Sequence, residues 1–162
     1  MTDHPFFLEL PLSDAFVGAR AQRLAELIGQ QGDEFLQAAG VVIPARSVST
    51  LLYLHHEGSA SLVEIAKALR ESHQLTAQRT SLLNSLGMIS SRADENDGRR
   101  RVFSLTRKGK REAAKVQARC TQAIAVFDDL NRELASDLAR TLDAAYDALR
   151  ARPMLARSTL QA

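Results

Sequence analysis

The sequence predicts a mainly α fold interrupted by one small β-hairpin. Apolar residues recur at spacings of three and four along most of the 162 residues, the period of helices with one buried face. Only around 89–105 does that period change, where two short runs flank the turn dipeptide Asp97-Gly98, a strong hairpin signal. Charge marks the same region. The formal net charge is +2, yet residues 92–111 carry eight Arg and Lys against three Asp and Glu, a local +5 on a body that is otherwise −3. Such a patch is the pattern of a contact with nucleic acid or another polyanion, although charge alone suits a solvated basic face equally well.

The first helix is expected from residue 13 to about 39. Phe16, Ala19, Arg23 or Leu24, Leu27 and Ile28 form its stripe, and Gly40 stops it. A second helix should start at Pro44, a residue suited to a first helical turn, and end at Gly58, with Val48, Leu51, Leu52 and His55 turned inward. Ser61-Leu62-Val63-Glu64 has the capping-box spacing and should open a third helix with Leu62, Ile65, Ala66 and Leu69 on one face. After a tight break at Arg70-Glu71, Ser72 can cap a fourth helix reaching Leu86 and stopping at Gly87. Its inward residues are Leu75, Leu82, Leu83 and Leu86.

Strands are expected at 89–93 and 101–105. Helix resumes at Thr106 as N-cap, with a stripe of Ala113, Val116, Cys120, Ile124 and Phe127, then a break near 128–131. Leu134, Leu138, Leu142, Ala145 and Leu149 make the last stripe, and the chain beyond Pro153 is expected to fray.

A short helix, a tight turn, a second helix and a basic hairpin make up a winged helix-turn-helix. A helix fits the major groove of B-DNA, where polar side chains read base edges. A hairpin beside it can reach phosphates or the minor groove, whose negative potential favours Arg. The candidate reading residues are Ser72, His73, Gln74, Thr76, Ala77, Gln78 and Ser81, with Asn84 or Ser85 beyond them. The wing candidates are Asp97, Arg99, Arg100 and Arg101. A carboxylate two residues from a guanidinium can hold it in one rotamer and lower the ordering cost of binding.

Residues 51–110 resemble the MarR family of bacterial winged-helix transcription regulators. The resemblance rests on Leu62-Val63-Glu64-Ile65-Ala66-Lys67-Ala68-Leu69 and on Leu83-Asn84-Ser85-Leu86-Gly87-Met88-Ile89. Its most specific part is Asp94-Glu95-Asn96-Asp97-Gly98-Arg99-Arg100-Arg101, followed by Leu105-Thr106-Arg107-Lys108-Gly109-Lys110. Arg79, where many members carry an apolar residue, and the opening Ser72-His73-Gln74-Leu75 depart from the family pattern and bear on which operator is read. The resemblance implies a repressor that binds near-palindromic double-stranded DNA as an intertwined homodimer. It also implies that Arg99 enters the minor groove while Asp97 orients it. Family effectors bind between the dimerisation helices and the winged helix, which makes Phe16, Arg20, Arg46 and His55 candidates for holding a small aromatic or anionic effector.

The organisation expected is an N-terminal arm and dimerisation helix over 1–40, the DNA-binding region over 41–110, C-terminal dimerisation helices over 111–152 and a flexible tail over 153–162. The apolar arm Phe6, Phe7, Leu8, Leu10 and Leu12 and the striped outer helices want more surface than a small winged helix offers. A winged helix that binds another protein instead of DNA is the alternative, and the neutral face of the fourth helix suits it too.

Other chemistries lack their residue sets. The chain has no Gly-rich phosphate loop and no nucleophile elbow, so no enzyme and no cofactor is expected. His55-His56 point about 100° apart on a helix without further ligands nearby, so no metal is expected. One Cys excludes an internal disulfide, and on an apolar stripe Cys120 reads as a small hydrophobe. Asp3 and Glu9, with no basic residues ahead of an apolar run, do not suit a signal peptide, and no stretch approaches the length of a membrane span. A cytoplasmic location is expected.

Overall fold

A 3-10 turn, Ser13–Ala15, leads into α1, Val17–Gln37. A second 3-10 turn, Ala45–Ser47, precedes α2, Val48–Glu57. Then come β1, Ser59–Ser61; α3, Leu62–Ala68; α4, His73–Ser85; β2, Ile89–Ala93; β3, Arg101–Leu105; α5, Arg107–Leu134; α6, Leu138–Ala151; and α7, Met154–Arg157. The computed structural model describes residues 11–93 and 101–158. The arm residues Phe6, Phe7, Leu8 and Leu10 lie outside the described residues, as do Asp97, Arg99 and Arg100.

The chain forms two compact units, Met1–Arg119 and Cys120–Ala162, and the division falls within α5. In the first unit Leu51, Leu54, Ile65, Leu83, Met88, Ala113 and Val116 are fully buried around a three-stranded antiparallel sheet of order β1-β3-β2. Burying each larger side chain contributes about 1.5–3 kcal/mol. Strands β2 and β3 pair without a bulge from Ile89↔Leu105 to Ala93↔Arg101, at the bounds the sequence pattern predicts. Strand β1 was not expected. It pairs Ser59, Ala60 and Ser61 with Ser104, Phe103 and Val102.

Local signals explain the helix ends. Ser61 and Glu64 form the predicted capping box, and the Ser72 hydroxyl accepts the Leu75 amide at 3.2 Å. Between α3 and α4, Arg70 takes φ 54°, which makes the turn tight at some cost in strain for a residue with a side chain. Gly87 ends α4 at φ 69°, the left-handed conformation glycine adopts without penalty. Thr106 then starts α5. Its hydroxyl accepts the Gly109 amide at 3.0 Å and donates to the Gly87 carbonyl at 2.7 Å. A Cβ added at Gly109 would lie 1.9 Å from the Met88 carbonyl oxygen, so this position brings α5 against the chain entering β2.

The early part of α5 is also fastened to the end of α1. Glu112, 4% exposed, accepts the Val42 amide at 2.5 Å and pairs with Lys115 at 2.6 Å. Lys115 also donates to the Gly40 carbonyl at 2.6 Å. Arg119 lies 3.5 Å over the Phe35 ring and donates to the Phe35 carbonyl at 2.9 Å. The buried carboxylate is therefore compensated by an ammonium and a backbone donor, as burial of charge requires.

In the second unit no described residue is buried. Ile124, Val126, Phe127, Leu134, Leu142, Tyr146 and Leu149 are all 40% exposed or more. The break expected at 128–131 falls later, at 135–137. Ala135 has φ 49°, Asn131 accepts the Leu138 amide at 3.0 Å, and Asp137 caps α6 through the Arg140 amide at 2.9 Å. Beyond Pro153 the chain forms α7 instead of fraying at once. Cys120 is half-buried, and desolvation raises its thiol pKa, which keeps it protonated and little reactive at neutral pH. Among the described residues, no helix is long and apolar enough to cross a membrane.

Candidate nucleic-acid interface

Helix α4 is polar on the outside for a positional reason. Thr76, Thr80 and Leu83 make its buried stripe, spaced four and three, so residues 74, 77, 78, 81 and 85 fall opposite. Gln74, Ala77, Gln78, Ser81, Leu82 and Ser85 line one shallow concavity of about 590 Å3. None of the six is charged. Ser72 and His73 are exposed at the start of the helix.

Thr76 corrects the sequence reading. It is fully buried, and its hydroxyl donates to the Ser72 carbonyl at 3.1 Å. Its polarity is satisfied within the helix, so it packs inward like an apolar residue and cannot meet a base. Leu75, expected inside, is 37% exposed.

The helix is braced from its middle and at its C-terminal end. Arg79 donates to Glu71 in the α3–α4 turn and to the Ser49 hydroxyl of α2 at 3.3 Å. Their side chains are 17% and 14% exposed, so the only Arg of α4 is folded away from its outer face. Lys108 donates to the Leu86 carbonyl at 2.8 Å at the far end. The pairing of Glu71 with Arg79 has no short-range sequence signature, since the two residues belong to different elements.

Arg92 on β2 and Arg101 on β3 are exposed, as are Arg107, Lys108, Lys110 and Arg111 at the start of α5. Cations there oppose the positive end of the helix dipole, each at a cost of about 0.3–1 kcal/mol. Such a concentration of positive charge is of the sign that suits a polyanion. Tyr53 on α2 has its phenol pKa raised by desolvation and by Glu57 and Glu64, which keeps the phenol protonated.

The effector candidates do not converge within one chain. Asp33, near the end of α1, accepts the Ala45 amide at 2.6 Å, which places Arg46 there. Arg20 precedes Asp33 by 13 residues, about 20 Å along a helix rising 1.5 Å per residue. Arg20 instead donates to the Ser13 carbonyl at 3.2 Å, and Phe16 is half-buried beside it. His55, expected inside, is exposed because the buried face of α2 is Thr50, Leu51 and Leu54. Among the described residues no group of His, Cys, Asp and Glu could hold a metal ion.

This architecture is a winged helix-turn-helix with additional helices at both ends. No protein-family model matches the chain, and no curated protein matches it. Solved structures do. A MarR transcriptional regulator from Methanosarcina mazei superposes with a TM-score of 0.62 at 18% identity, covering 83% of this chain and 99% of that one. A mutant MarR from E. coli complexed with operator DNA gives 0.60 at 21% identity, covering 90% and 99%. The YusO protein from Bacillus subtilis gives 0.52 at 21%, covering 85% and 92%. The fold is that of the MarR regulators.

Proposed function

We propose that the protein is a sequence-specific, double-stranded DNA-binding transcription regulator that acts as a homodimer. The observation that carries this reading is α4, an uncharged hydrogen-bonding face braced from its middle and its C-terminal end, next to exposed cations on β2, β3 and the start of α5. A helix about 10–12 Å across matches a major groove about 12 Å wide, and the flanking cations match phosphates. The shared fold with a MarR complexed with operator DNA supports the same reading. The exposed apolar stripes of the second unit support a second copy as partner. In that arrangement residues 1–40 and 111–152 serve dimerisation, 41–110 bind DNA with Arg99, Arg100 and Arg101 in the wing, and 153–162 form a tail. Repression, and release by a small aromatic or anionic effector, rest on the family resemblance.

The test is binding to DNA from the protein's own promoter region at two salt concentrations. Affinity should fall by about 0.9 log unit per log unit of salt for each phosphate neutralised. Absence of salt-dependent DNA binding, with capture of a protein partner instead, would favour the interaction-module alternative.

A further inference from the structure

We infer that α4 reads A·T base pairs: Gln74 and Gln78 each recognise an adenine, and Ala77 between them meets a thymine methyl. The inference rests on the DNA-binding reading above and specifies what that site recognises. Three observations support it.

The first is what the outer face holds. Gln74 and Gln78 are exposed, four residues apart, and line the same concavity with Ala77 and Ser81. A glutamine amide matches the major-groove edge of adenine, its Nε2 donating to N7 and its Oε1 accepting from the N6 amino group. A methyl side chain suits the thymine C5 methyl, and a serine hydroxyl is neutral between bases.

The second is what the face lacks. Guanine is most often read by Arg or Lys donating to O6 and N7. The sole basic residue of the α4 sequence apart from His73 is Arg79, and its guanidinium is held by Glu71 and Ser49. Cytosine needs an acidic acceptor, and α4 contains no Asp or Glu. The helix is thus equipped for one pair type and stripped of the usual readers of the other.

The third is spacing. Residues four apart rise about 6 Å along the helix axis, close to two base-pair steps of about 3.4 Å. With the axis following the groove, the two adenines lie about two steps apart in each half-site.

The experiment selects duplexes from a random pool with the full-length parent protein, Gln74→Ala, Gln78→Ala and Gln78→Arg. The parent should enrich two A·T positions per half-site, about two steps apart. Each alanine variant should flatten one of them, with a roughly 5- to 150-fold loss on the parent's best site. Gln78→Arg should exchange its adenine for guanine. Placing 7-deazaadenine at the Gln78 position removes the N7 acceptor while keeping base pairing, so it should weaken the parent and leave Gln78→Ala unaffected. Enrichment of G·C at the positions these variants control, or indifference of the parent to 7-deazaadenine, would overturn the inference and leave DNA binding standing. A pool with no enriched sequence would overturn both. Circular dichroism checks that the variants, all at exposed sites, remain folded.

Discussion

Glu71 and Arg79 form an ion pair across the turn between α3 and α4, and both side chains are more than four-fifths covered. Arg79 extends the link to Ser49 on α2, so α2, α4 and the turn between α3 and α4 meet at one guanidinium. Glu71→Ala leaves that guanidinium buried without its counter-charge and should destabilise the fold by about 3 kcal/mol. The double variant Glu71→Ala, Arg79→Met removes both charges and should cost less than Glu71→Ala alone. Urea unfolding midpoints measure both effects. Equal midpoints for Glu71→Ala and the parent would show that the pair contributes nothing to the fold.

Thr76 and Gln78 are two residues apart and should behave in opposite ways. Thr76→Val keeps the shape and loses the bond to the Ser72 carbonyl, a cost of about 1 kcal/mol. Operator preference should not change. An altered base preference for Thr76→Val would place that side chain in the groove after all.

Gly109→Ala should be among the most damaging single-methyl additions in the first unit, because the new Cβ meets the Met88 carbonyl at 1.9 Å. Overpacking of this kind costs about 3 kcal/mol at its upper range, a Tm decrease of roughly 6–12 °C for a chain of this size. Calorimetry on the purified variant checks it, and an unchanged Tm would mean the junction gives way easily.

Arg99→Ala should weaken operator binding by about 1–3 kcal/mol, the size of one specific DNA contact, without altering the mass of the assembly. Asp97→Ala should weaken it less, in the same direction, if its carboxylate serves to orient Arg99 as the family resemblance implies. Fluorescence anisotropy at physiological salt decides. Parent-like affinity for Arg99→Ala would remove the connection 94–100 from the DNA contact.

Light scattering at micromolar concentration should give the mass of two chains. A twofold assembly presents two copies of α4, so footprinting should protect a near-palindrome whose half-site centres are about 34–36 Å apart. Protection of a single asymmetric half-site, or the mass of one chain, contradicts the proposed dimer.

Much of the fold was legible because its signals are local. The Ser61–Glu64 box, the Ser72 cap and the bounds of β2 and β3 all depend on residues within a few positions of one another. The misreadings have different causes. Ser59-Ala60-Ser61 has no alternating pattern and becomes a strand only because β3 arrives beside it. Polarity alone puts Thr76 outward, although its spacing to Thr80 and Leu83 sets it on the buried stripe. The apolar neighbours of His55 suggest an inward position, but the buried face of α2 is Thr50, Leu51 and Leu54. The late break before α6 follows from the Asn131 side chain satisfying the Leu138 amide, a bond across the break that no helical period marks. At the candidate site the exposed glutamines were readable from helical periodicity, whereas the withdrawal of Arg79 depended on a partner in another element.

Ser61 belongs to two structures at once. It is the last residue of β1, opposite Val102 on β3, and also the N-cap of α3, its amide and hydroxyl both donating to Glu64 at 2.8 and 2.7 Å. One residue therefore stitches the sheet to the helix that precedes α4. The consequence is a limit on modularity. A fragment cut to begin at Leu62, the natural choice for transplanting α3 and α4 into another scaffold, would lose the cap and the third strand together. A graft that keeps 59–61 would carry both, at the cost of bringing β3 as an obligatory passenger.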